Sequence, residues 1–226
     1  MAHKVLLVTA TSAEADTIAA IPGFSYVNNI WTSDNTELSI LVTGVGSVAT
    51  AWSIKQWFSV NARPHLVINA GIAGSFTDDI KIGDVVMPVT DCFADSGIED
   101  GDKYFTLFES GLADPDEFPY SKGLLHCDEK ISERMQDLLR PVTAITVNKA
   151  TGSDATVNKL QKKFNPDIET MEGATFFYLC IREKIPFLAL RAISNRVETR
   201  NRTKWNIPLA LERLSEKLKE VILRLE

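Results

Sequence analysis

Short apolar runs and segments of helical periodicity alternate along the chain. The run "KVLLVTA" (4–10) is typical of a buried strand, and the segment after it starts at Ser12, a favoured helix cap. Further strands are predicted at 37–44, 65–74, 84–89, 142–147, 167–171 and 186–194, and helices at 12–20, 47–60, 128–140, 172–184 and 207–225. Because most strands are apolar throughout, the pattern predicts an α/β fold of three layers (αβα), with a central, mostly parallel or mixed twisted sheet flanked by helices.

One segment interrupts this alternation. Residues 94–126 are rich in Asp, Gly and Pro, and they carry the aromatic residues Tyr104, Phe105, Phe108, Phe118 and Tyr120. A long irregular insert with such aromatics is more often a functional loop than a linker. The chain has no internal repeat, and we expect residues 1–226 to form a single domain.

Composition and charge narrow the possible partners. The chain is 45% apolar and carries a formal net charge of -6, which argues against a nucleic-acid partner. No apolar stretch approaches the roughly 20 residues that span a bilayer, so no membrane partner is expected. Cys92, Cys127 and Cys180 are widely separated and indicate reduced thiols in a cytoplasmic protein. Neither they nor the histidines show metal-ligand spacing, so we expect no metal and no cofactor.

Polar residues of chemical interest follow the predicted strands. They are Glu14, the glycine-punctuated turn "NAGIAG" (69–74), the pair Glu169 and Glu172, and Asn195. Ligands of such sheets gather at the carboxyl ends of strands, where these four segments converge. The sequence therefore predicts a small-molecule site at that edge.

Each feature taken alone also fits a structural role. A glycine turn lets backbone N–H groups approach a ligand, but it can equally be a plain tight turn. Glu14 and Glu172 fit a general base and a ribose-diol acceptor, and both also fit carboxylates placed favourably at a helix N-terminus. Asn195 is equally a favoured turn residue.

Taken together, these stretches resemble the purine nucleoside phosphorylase and nucleosidase superfamily. The matching pieces are "VTATSAEA", "VTGVG", "INAGIAGSF", "IGDVVMP", "ATGSDAT", "ETMEGA" and "RAISNRV", in family order. They cover nearly the whole chain except the insert. The similarity is closest to the hydrolase branch, which includes methylthioadenosine/S-adenosylhomocysteine nucleosidase and futalosine hydrolase. The resemblance implies a nucleoside substrate and a homo-oligomer, a dimer or larger.

The resemblance also implies residue roles. Glu14 matches the glutamate that activates the attacking water, Glu172 the one that binds the ribose diol, and Met171 the residue that packs on the sugar. Residues 151–153 match the segment flanking the base. The predicted catalytic residues are Glu14 and Asn195, and the predicted substrate-binding residues are Gly71, Ile72, Ala73, Thr151, Gly152, Ser153, Met171, Glu172, Arg196 and Arg200.

Asn195 departs from the adenine-specific nucleosidases, which carry a catalytic aspartate at the matching position. A carboxylate would be repelled by the carbonyl oxygen of a 6-oxopurine. An amide can donate to O6 and accept from a protonated N7. Asn195 therefore favours hypoxanthine as the leaving base, and the resemblance then implies futalosine hydrolysis in menaquinone biosynthesis.

Two alternatives stay open, an adenine-releasing methylthioadenosine/S-adenosylhomocysteine nucleosidase and a non-catalytic nucleoside-binding or storage protein. Hydrolysis is favoured over phosphorolysis because "TATSAEAD" and "INAGIAGS" contain no arginine to hold phosphate. Futalosine carries a carboxyphenyl tail. Arg196, Arg200 and Arg202 are candidates to bind its carboxylate, and aromatics near Phe105 and Phe108 to pack on its ring, although an exposed basic loop fits these arginines equally well.

Overall fold

The computed structural model describes residues 2–16, 24–27, 30–33 and 35–225. Within these ranges the strands are β1 His3–Thr9, β2 Ser25–Val27, β3 Ile30–Thr32, β4 Thr36–Val42, β5 Leu66–Ser75, β6 Val85–Asp91, β7 Gly97–Asp100, β8 Lys103–Thr106, β9 Leu125–His126, β10 Arg140–Thr146, β11 Ile168–Thr170 and β12 Phe187–Arg196. The helices are α1 Ser12–Ala15, α2 Ser47–Val60, α3 Glu129–Met135, α4 Asp154–Phe164, α5 Gly173–Glu183 and α6 Ile207–Leu225, and a short 3-10 helix spans Arg202–Lys204.

Ten of these strands form one sheet, in the order β11-β10-β6-β12-β5-β1-β4-β3-β2, with β9 paired to β6. The central strands β4, β1, β5 and β12 are parallel to one another. At the other end the sheet curls, so that β11 also pairs with the end of β5. Strands β5, β12, β6, β10 and β11 therefore close into a five-stranded ring.

The sheet is buried on both faces, as β1 illustrates. Val5 and Leu7 belong to a core cluster that includes α6 residues such as Leu214. Leu6 and Val8 point the other way, into a cluster that includes Phe176 of α5. Burying a side chain of this size contributes about 1.5–3 kcal/mol. The α/β fold predicted from the continuous apolar strands, with helices flanking a central sheet, is confirmed.

Helix α4 was missed by the periodicity analysis. Val157, Leu160 and Phe164 face a third apolar cluster at spacings of three and four residues. Ser153 caps this helix, because its hydroxyl accepts a hydrogen bond from the Thr156 N–H at 3.3 Å. The spacing and the cap are both present in the sequence, but the resemblance assigns only residues 151–153, as a base-flanking segment, and no helix is predicted at 154–164.

Three predicted boundaries need correction. The cap of α1 is Thr11, one residue before the predicted Ser12, and the predicted helix runs on into residues 17–20, which lie outside the described ranges. The helix predicted at 128–140 ends at Met135, and β10 already begins at Arg140. The strand predicted at 65–74 does not give way to a turn, because β5 continues through "NAGIAG" to Ser75.

The insert at 94–126 is more regular than predicted. It contains the hairpin of β7 and β8 and the short strand β9. Its aromatics pack within the same chain, Phe108 on Tyr120 with ring centroids 5.1 Å apart and Tyr120 on Tyr178 of α5 at 5.9 Å. The insert is thereby attached to α5, the helix that follows Glu172. Among the described helices, none is both long and apolar enough to cross a membrane.

Candidate active site

Glu14 lies at the start of α1, where four hydrogen bonds orient its carboxylate. One oxygen, Oε2, accepts from the N–H of Ala10 at 3.1 Å and from the N–H and hydroxyl of Thr11, both at 2.9 Å. The other, Oε1, accepts from the Ile72 N–H at 3.1 Å. The residue is only 6% exposed. Thr11 in turn caps the helix, so the end of β1 and the start of α1 hold this carboxylate in one orientation.

The glycine segment of β5 leaves room for this carboxylate, because Gly71 has no side chain. A Cβ on Gly71 would lie 2.9 Å from Glu14 Oε1, so only glycine permits this approach. Gly71 through Ala73 lie in register with Arg191 through Ile193 of β12. The predicted turn is therefore wrong for this segment, whereas its predicted role in substrate binding stays a prediction. It is a sheet strand, and its Ile72 N–H already donates to Glu14.

Glu172 is the residue before the first turn of α5, and its carboxylate is directed to a second helix. Its Oε1 accepts from the N–H of Gly46, the residue that precedes α2, at 2.8 Å. Burial raises the pKa of Glu172. The Gly46 hydrogen bond and the charge of Arg191 oppose that rise, while the charge of Glu14 adds to it. The charge of Glu172 thus interacts with those of Glu14 and Arg191.

Arg191 was not predicted as a site residue, yet it is the buried cation of this environment. It is 2% exposed. Its guanidinium donates to the carbonyl of Asn69 at 3.0 Å, to the carbonyl of Leu190 at 2.8 Å and to the side-chain oxygen of Asn69. Burial lowers its pKa, whereas the charges of Glu172, Glu14 and Asp91 raise it. A lone arginine inside the apolar run "FLALRAIS" was the available signal, because such a charge is rarely buried without carboxylates near it.

Asn195 lies on β12 just after a bulge, in register with Gly74 of β5. It is half-buried. Its Oδ1 accepts from the Ser194 hydroxyl at 2.8 Å, and its Nδ2 donates to the Arg196 carbonyl at 2.8 Å. A Cβ on Gly74 would come within 3.1 Å of Nδ2, so the glycine leaves space beside the amide. An amide can make four hydrogen bonds, so each of its polar atoms keeps capacity for a ligand.

Glu169 reaches the same place from the opposite strand, since β11 sets it in register with Gly74. Its carboxylate accepts from the Thr151 N–H at 2.9 Å and from the Thr151 hydroxyl. Burial raises the pKa of Glu169, and the Thr151 hydrogen bonds counteract the rise. The predicted base-flanking residue Thr151 is therefore fixed to the edge that carries Asn195. Ser153 instead has its hydroxyl engaged as a helix cap.

The two predicted arginines have different surroundings. The Arg196 guanidinium donates to the Ser75 hydroxyl at 3.1 Å and to the carbonyls of Phe76 and Thr77, and it pairs with Asp78 at 3.2 Å. These contacts occupy it as a brace for the loop after β5, which argues against the predicted role in substrate binding. Arg200 is exposed and lies over the Trp205 ring, 5.6 Å from its centroid.

Arg200 is also connected to the predicted base-flanking segment. Its backbone N–H donates to the Gly152 carbonyl at 3.3 Å. Met171 is half-buried between Thr170 and Glu172, at the end of β11. Electrostatic interactions thus connect Glu14, Glu172 and Arg191. Hydrogen bonding and strand pairing bring Thr151, Glu169 and Asn195 together at a neighbouring edge.

Other parts of the chain contribute little to this chemistry. Within the described ranges, no group of three or more His, Cys, Asp or Glu side chains is arranged to hold a metal ion. An open cleft of about 560 Å³ lies between the start of β6 and α6, lined among others by Asp84, Arg213 and Lys217. Arg213 and Lys217 pair there with carboxylates of their own helix, so the buried acidic cluster around Arg191 remains the stronger candidate.

Comparisons with known proteins agree with this geometry. The sequence matches the phosphorylase superfamily over residues 4–225. It is 34% identical to the futalosine hydrolase of Acidothermus cellulolyticus, over 95% of this chain and 88% of that protein. It is 25% identical to the 5'-methylthioadenosine/S-adenosylhomocysteine nucleosidase of Buchnera aphidicola, over 83% of this chain and 79% of that protein.

A solved structure shows the same fold. The futalosine hydrolase of Helicobacter pylori superimposes with a TM-score of 0.80 at 17% identity, over 98% of both chains. The order of strands and helices, the glycine-lined approach to Glu14 and the match along almost the whole sequence lead to one assignment. The chain belongs to the phosphorylase superfamily.

Proposed function

We propose that the protein hydrolyses the N-glycosidic bond of futalosine and releases hypoxanthine. The observation that carries this proposal is Asn195, a half-buried amide beside Gly74 on the ring of strands. A neutral amide at this place complements the O6 and N7 edge of a 6-oxopurine. The 34% identity to a futalosine hydrolase supports the same substrate, and the lower identity to an adenine-releasing nucleosidase makes that activity the second candidate.

Glu14 is proposed to activate water. Because four hydrogen bonds fix its carboxylate, it can accept a proton from a water molecule without first reorienting. The water oxygen forms a bond to C1′, the C1′–N9 bond breaks, and its electron pair leaves with the purine. A proton from solvent neutralises N7, and the Asn195 carbonyl accepts a hydrogen bond from that N7–H. The positive charge that develops on the sugar is stabilised by the nearby carboxylates.

Glu172 is proposed to bind the ribose diol. Its Oε1 is already oriented by the Gly46 N–H, so the carboxylate faces the ligand in a defined direction. Hydrogen bonds to a charged acceptor are worth roughly 1.5–3 kcal/mol each. Arg191 lowers the repulsion between Glu172 and Glu14, because its buried charge acts on both.

Water is favoured over phosphate as the nucleophile. The guanidinium of Arg191 donates to Asn69 and Leu190, and that of Arg196 donates to the loop after β5. Neither cation is therefore presented to a dianion. Arg200, stacked on Trp205 and bonded through its backbone to Gly152, is the better candidate for the carboxylate of the futalosine tail.

The cellular setting is part of the proposal. Release of hypoxanthine from futalosine belongs to menaquinone biosynthesis, and the three free cysteines fit a reducing cytoplasm. We also propose a homo-oligomer, because Val45, Val48 and Trp52 expose 56%, 83% and 70% of their surfaces near Gly46.

A substrate panel tests the function. Purified protein is incubated with futalosine, with methylthioadenosine, and with inosine plus phosphate, and the released base is quantified by chromatography. We expect hypoxanthine from futalosine, no dependence on phosphate, and adenine release at least about 100-fold less efficient. Comparable release of adenine would identify a methylthioadenosine nucleosidase, and binding without turnover would identify a nucleoside-binding protein.

Glu14→Gln provides the mechanistic arm of the same assay. It should lower kcat by about 100- to 10,000-fold, because the amide cannot accept the proton from water. The matched control is Glu129→Gln, which removes a first-turn carboxylate from the surface helix α3. Equal activity of the two variants would contradict the role of Glu14.

A further inference from the structure

Glu172 occupies the cap position of α5 without acting as a cap. Its side chain accepts no hydrogen bond from the first turn of its own helix and is directed to the Gly46 N–H instead. A helix start leaves several N–H groups without partners inside the helix. A serine, threonine or aspartate at the cap would ordinarily satisfy one of them. The first turn of α5 must therefore be satisfied by side chains from elsewhere.

Two threonine hydroxyls from neighbouring strands accept hydrogen bonds from the first N–H groups of α5. The Gly173 N–H donates to Thr170 Oγ1 at 3.1 Å, and the Ala174 N–H donates to Thr146 Oγ1 at 2.7 Å. The two hydroxyls are 3.1 Å from each other. Thr170 ends β11 and Thr146 ends β10, so the ends of two ring strands cap the helix.

Asp91 completes the arrangement and fixes its direction. Its Oδ1 accepts a hydrogen bond from the Thr146 hydroxyl at 3.0 Å. Thr146 Oγ1 then has two lone pairs, one for the Ala174 N–H and one for the Thr170 hydroxyl. Both threonine hydroxyls in this series of hydrogen bonds therefore donate, and Asp91 is the terminal acceptor of the series. The side chains of Asp91, Thr146 and Thr170 are at most 3% exposed.

The same carboxyl limits where the helix can start. A Cβ on Gly173 would lie 2.2 Å from Asp91 Oδ2 and 2.8 Å from Thr170 Oγ1, so no side chain fits there. Among the described residues, Oδ2 has no hydrogen-bond partner. The backbone of Gly173 is thus packed directly against the carboxyl group of Asp91.

We propose that Asp91, Thr146 and Thr170 are positioning residues for Glu172, because their hydrogen-bonded chain caps α5 and leaves the Glu172 carboxylate free to bind the ribose diol. This inference rests on the proposed function, since it presumes that Glu172 binds the diol. It assigns a task to three buried polar side chains that do not themselves contact the substrate.

Thr146→Val and Thr146→Ser form the matched pair for a test. Valine keeps the shape but removes the hydroxyl, whereas serine retains it. Steady-state kinetics are measured for each variant with the ribonucleoside substrate and with its 2′,3′-dideoxy counterpart, which offers Glu172 no hydroxyl. For Thr146→Val we expect KM of the ribonucleoside to rise about 10-fold with a smaller change in kcat, and KM of the dideoxy substrate to change less than about 2-fold. Thr146→Ser should restore values near those of the unsubstituted protein.

Glu172→Gln separates the two levels of the inference. If Glu172→Gln weakens both substrates equally, the proposed diol contact is wrong. If it weakens only the ribonucleoside while Thr146→Val weakens both substrates equally, the diol contact stands and the positioning role is overturned. The positioning role also requires that the double variant, Thr146→Val with Glu172→Gln, have the same KM for the ribonucleoside as Glu172→Gln alone. If the two substitutions instead multiply their effects on KM, the positioning role is contradicted.

Discussion

At the scale of single residues, the site depends on one buried cation among three carboxyl groups. Arg191 interacts electrostatically with Glu172, Glu14 and Asp91. Leaving buried charges unpaired typically costs about 3–5 kcal/mol, so this arginine has a structural task besides any catalytic one. Its positive charge lowers the electrostatic repulsion between the carboxylates of Glu14 and Glu172.

The base preference belongs to the same scale. Asn195→Asp should weaken hypoxanthine release by about 10- to 100-fold, because the new carboxylate faces the O6 carbonyl, and it should raise adenine release from methylthioadenosine. The measurement is kcat/KM for futalosine and for methylthioadenosine over a range of pH.

Asn201→Asp is the control for this substitution, since the Asn201 side chain caps the nearby 3-10 helix and an aspartate can do the same. An unchanged preference in Asn195→Asp would show that the base is recognised by other residues. The Thr151 and Glu169 pair at the same edge would then be the next to substitute.

Sequence alone could identify residues whose type and place suggest chemistry, and it could not identify their partners. Glu14, Glu172 and Asn195 each follow a predicted strand, so their places near the carboxyl ends of strands were predictable from the order of elements. The contacts of Arg196 were not predictable, because its guanidinium donates to backbone carbonyls of another loop. Every residue carries a backbone carbonyl, so residue type does not show which of them will accept a hydrogen bond from a side chain.

At the scale of elements, β5 shows why a glycine-rich strand is hard to recognise. "NAGIAG" has the composition of a turn, yet each glycine makes room for neighbouring side chains. A Cβ on Gly71 would meet Glu14, and a Cβ on Gly74 would meet Asn195 and Val197. Helix α5 is the converse case. Its extent was predicted to within a residue at each end, whereas its capping by Thr146 and Thr170 was not. Close approach and long-range capping depend on tertiary contacts, which local patterns do not contain.

The junction of β6 and α5 also predicts a pH dependence of stability. Burial raises the pKa of Asp91 from 3.8 to about 7. Between these values the folded protein keeps a proton that the unfolded chain releases, so the free energy of unfolding falls as pH rises. Asp91→Asn removes this titration. From about pH 5 to pH 7, its stability relative to the unsubstituted protein should improve by up to about 1.4 kcal/mol per pH unit.

Urea unfolding followed by circular dichroism at several pH values measures this difference. Asp102→Asn, at an exposed turn of the insert, is the control that changes the same functional group at the surface. If the stabilities of Asp91→Asn and the unsubstituted protein run parallel across this range, Asp91 does not titrate there in the folded state.

At the scale of the whole molecule, one apolar surface lies unusually close to the site. Val45, Val48 and Trp52 flank Gly46, whose N–H orients Glu172, and Val48 and Trp52 share one face of α2. Exposed patches of this kind mark association sites in soluble proteins. A second copy packed here would connect assembly to ligand binding through Gly46.

Trp52→Glu tests this surface. A charge in the centre of an apolar interface should shift the protein to monomers and raise KM for the nucleoside, since the Gly46 segment would lose its support. Sedimentation velocity reports the assembly and steady-state kinetics the consequence. Leu223→Glu, which places the same charge at a partly exposed position of α6, should leave both unchanged. A Trp52→Glu protein with the original sedimentation coefficient would place the interface elsewhere.

The pairing of β11 with the end of β5 has a mechanical consequence. In an open sheet an edge strand can separate by breaking one set of inter-strand hydrogen bonds, whereas every strand of a closed five-stranded ring is paired on both sides. Asn195, Gly74 and Glu169 lie on this ring, so the pairing of its strands sets the spacing between them. The backbone amides of the ring should therefore be among the slowest in the protein to exchange with deuterated solvent.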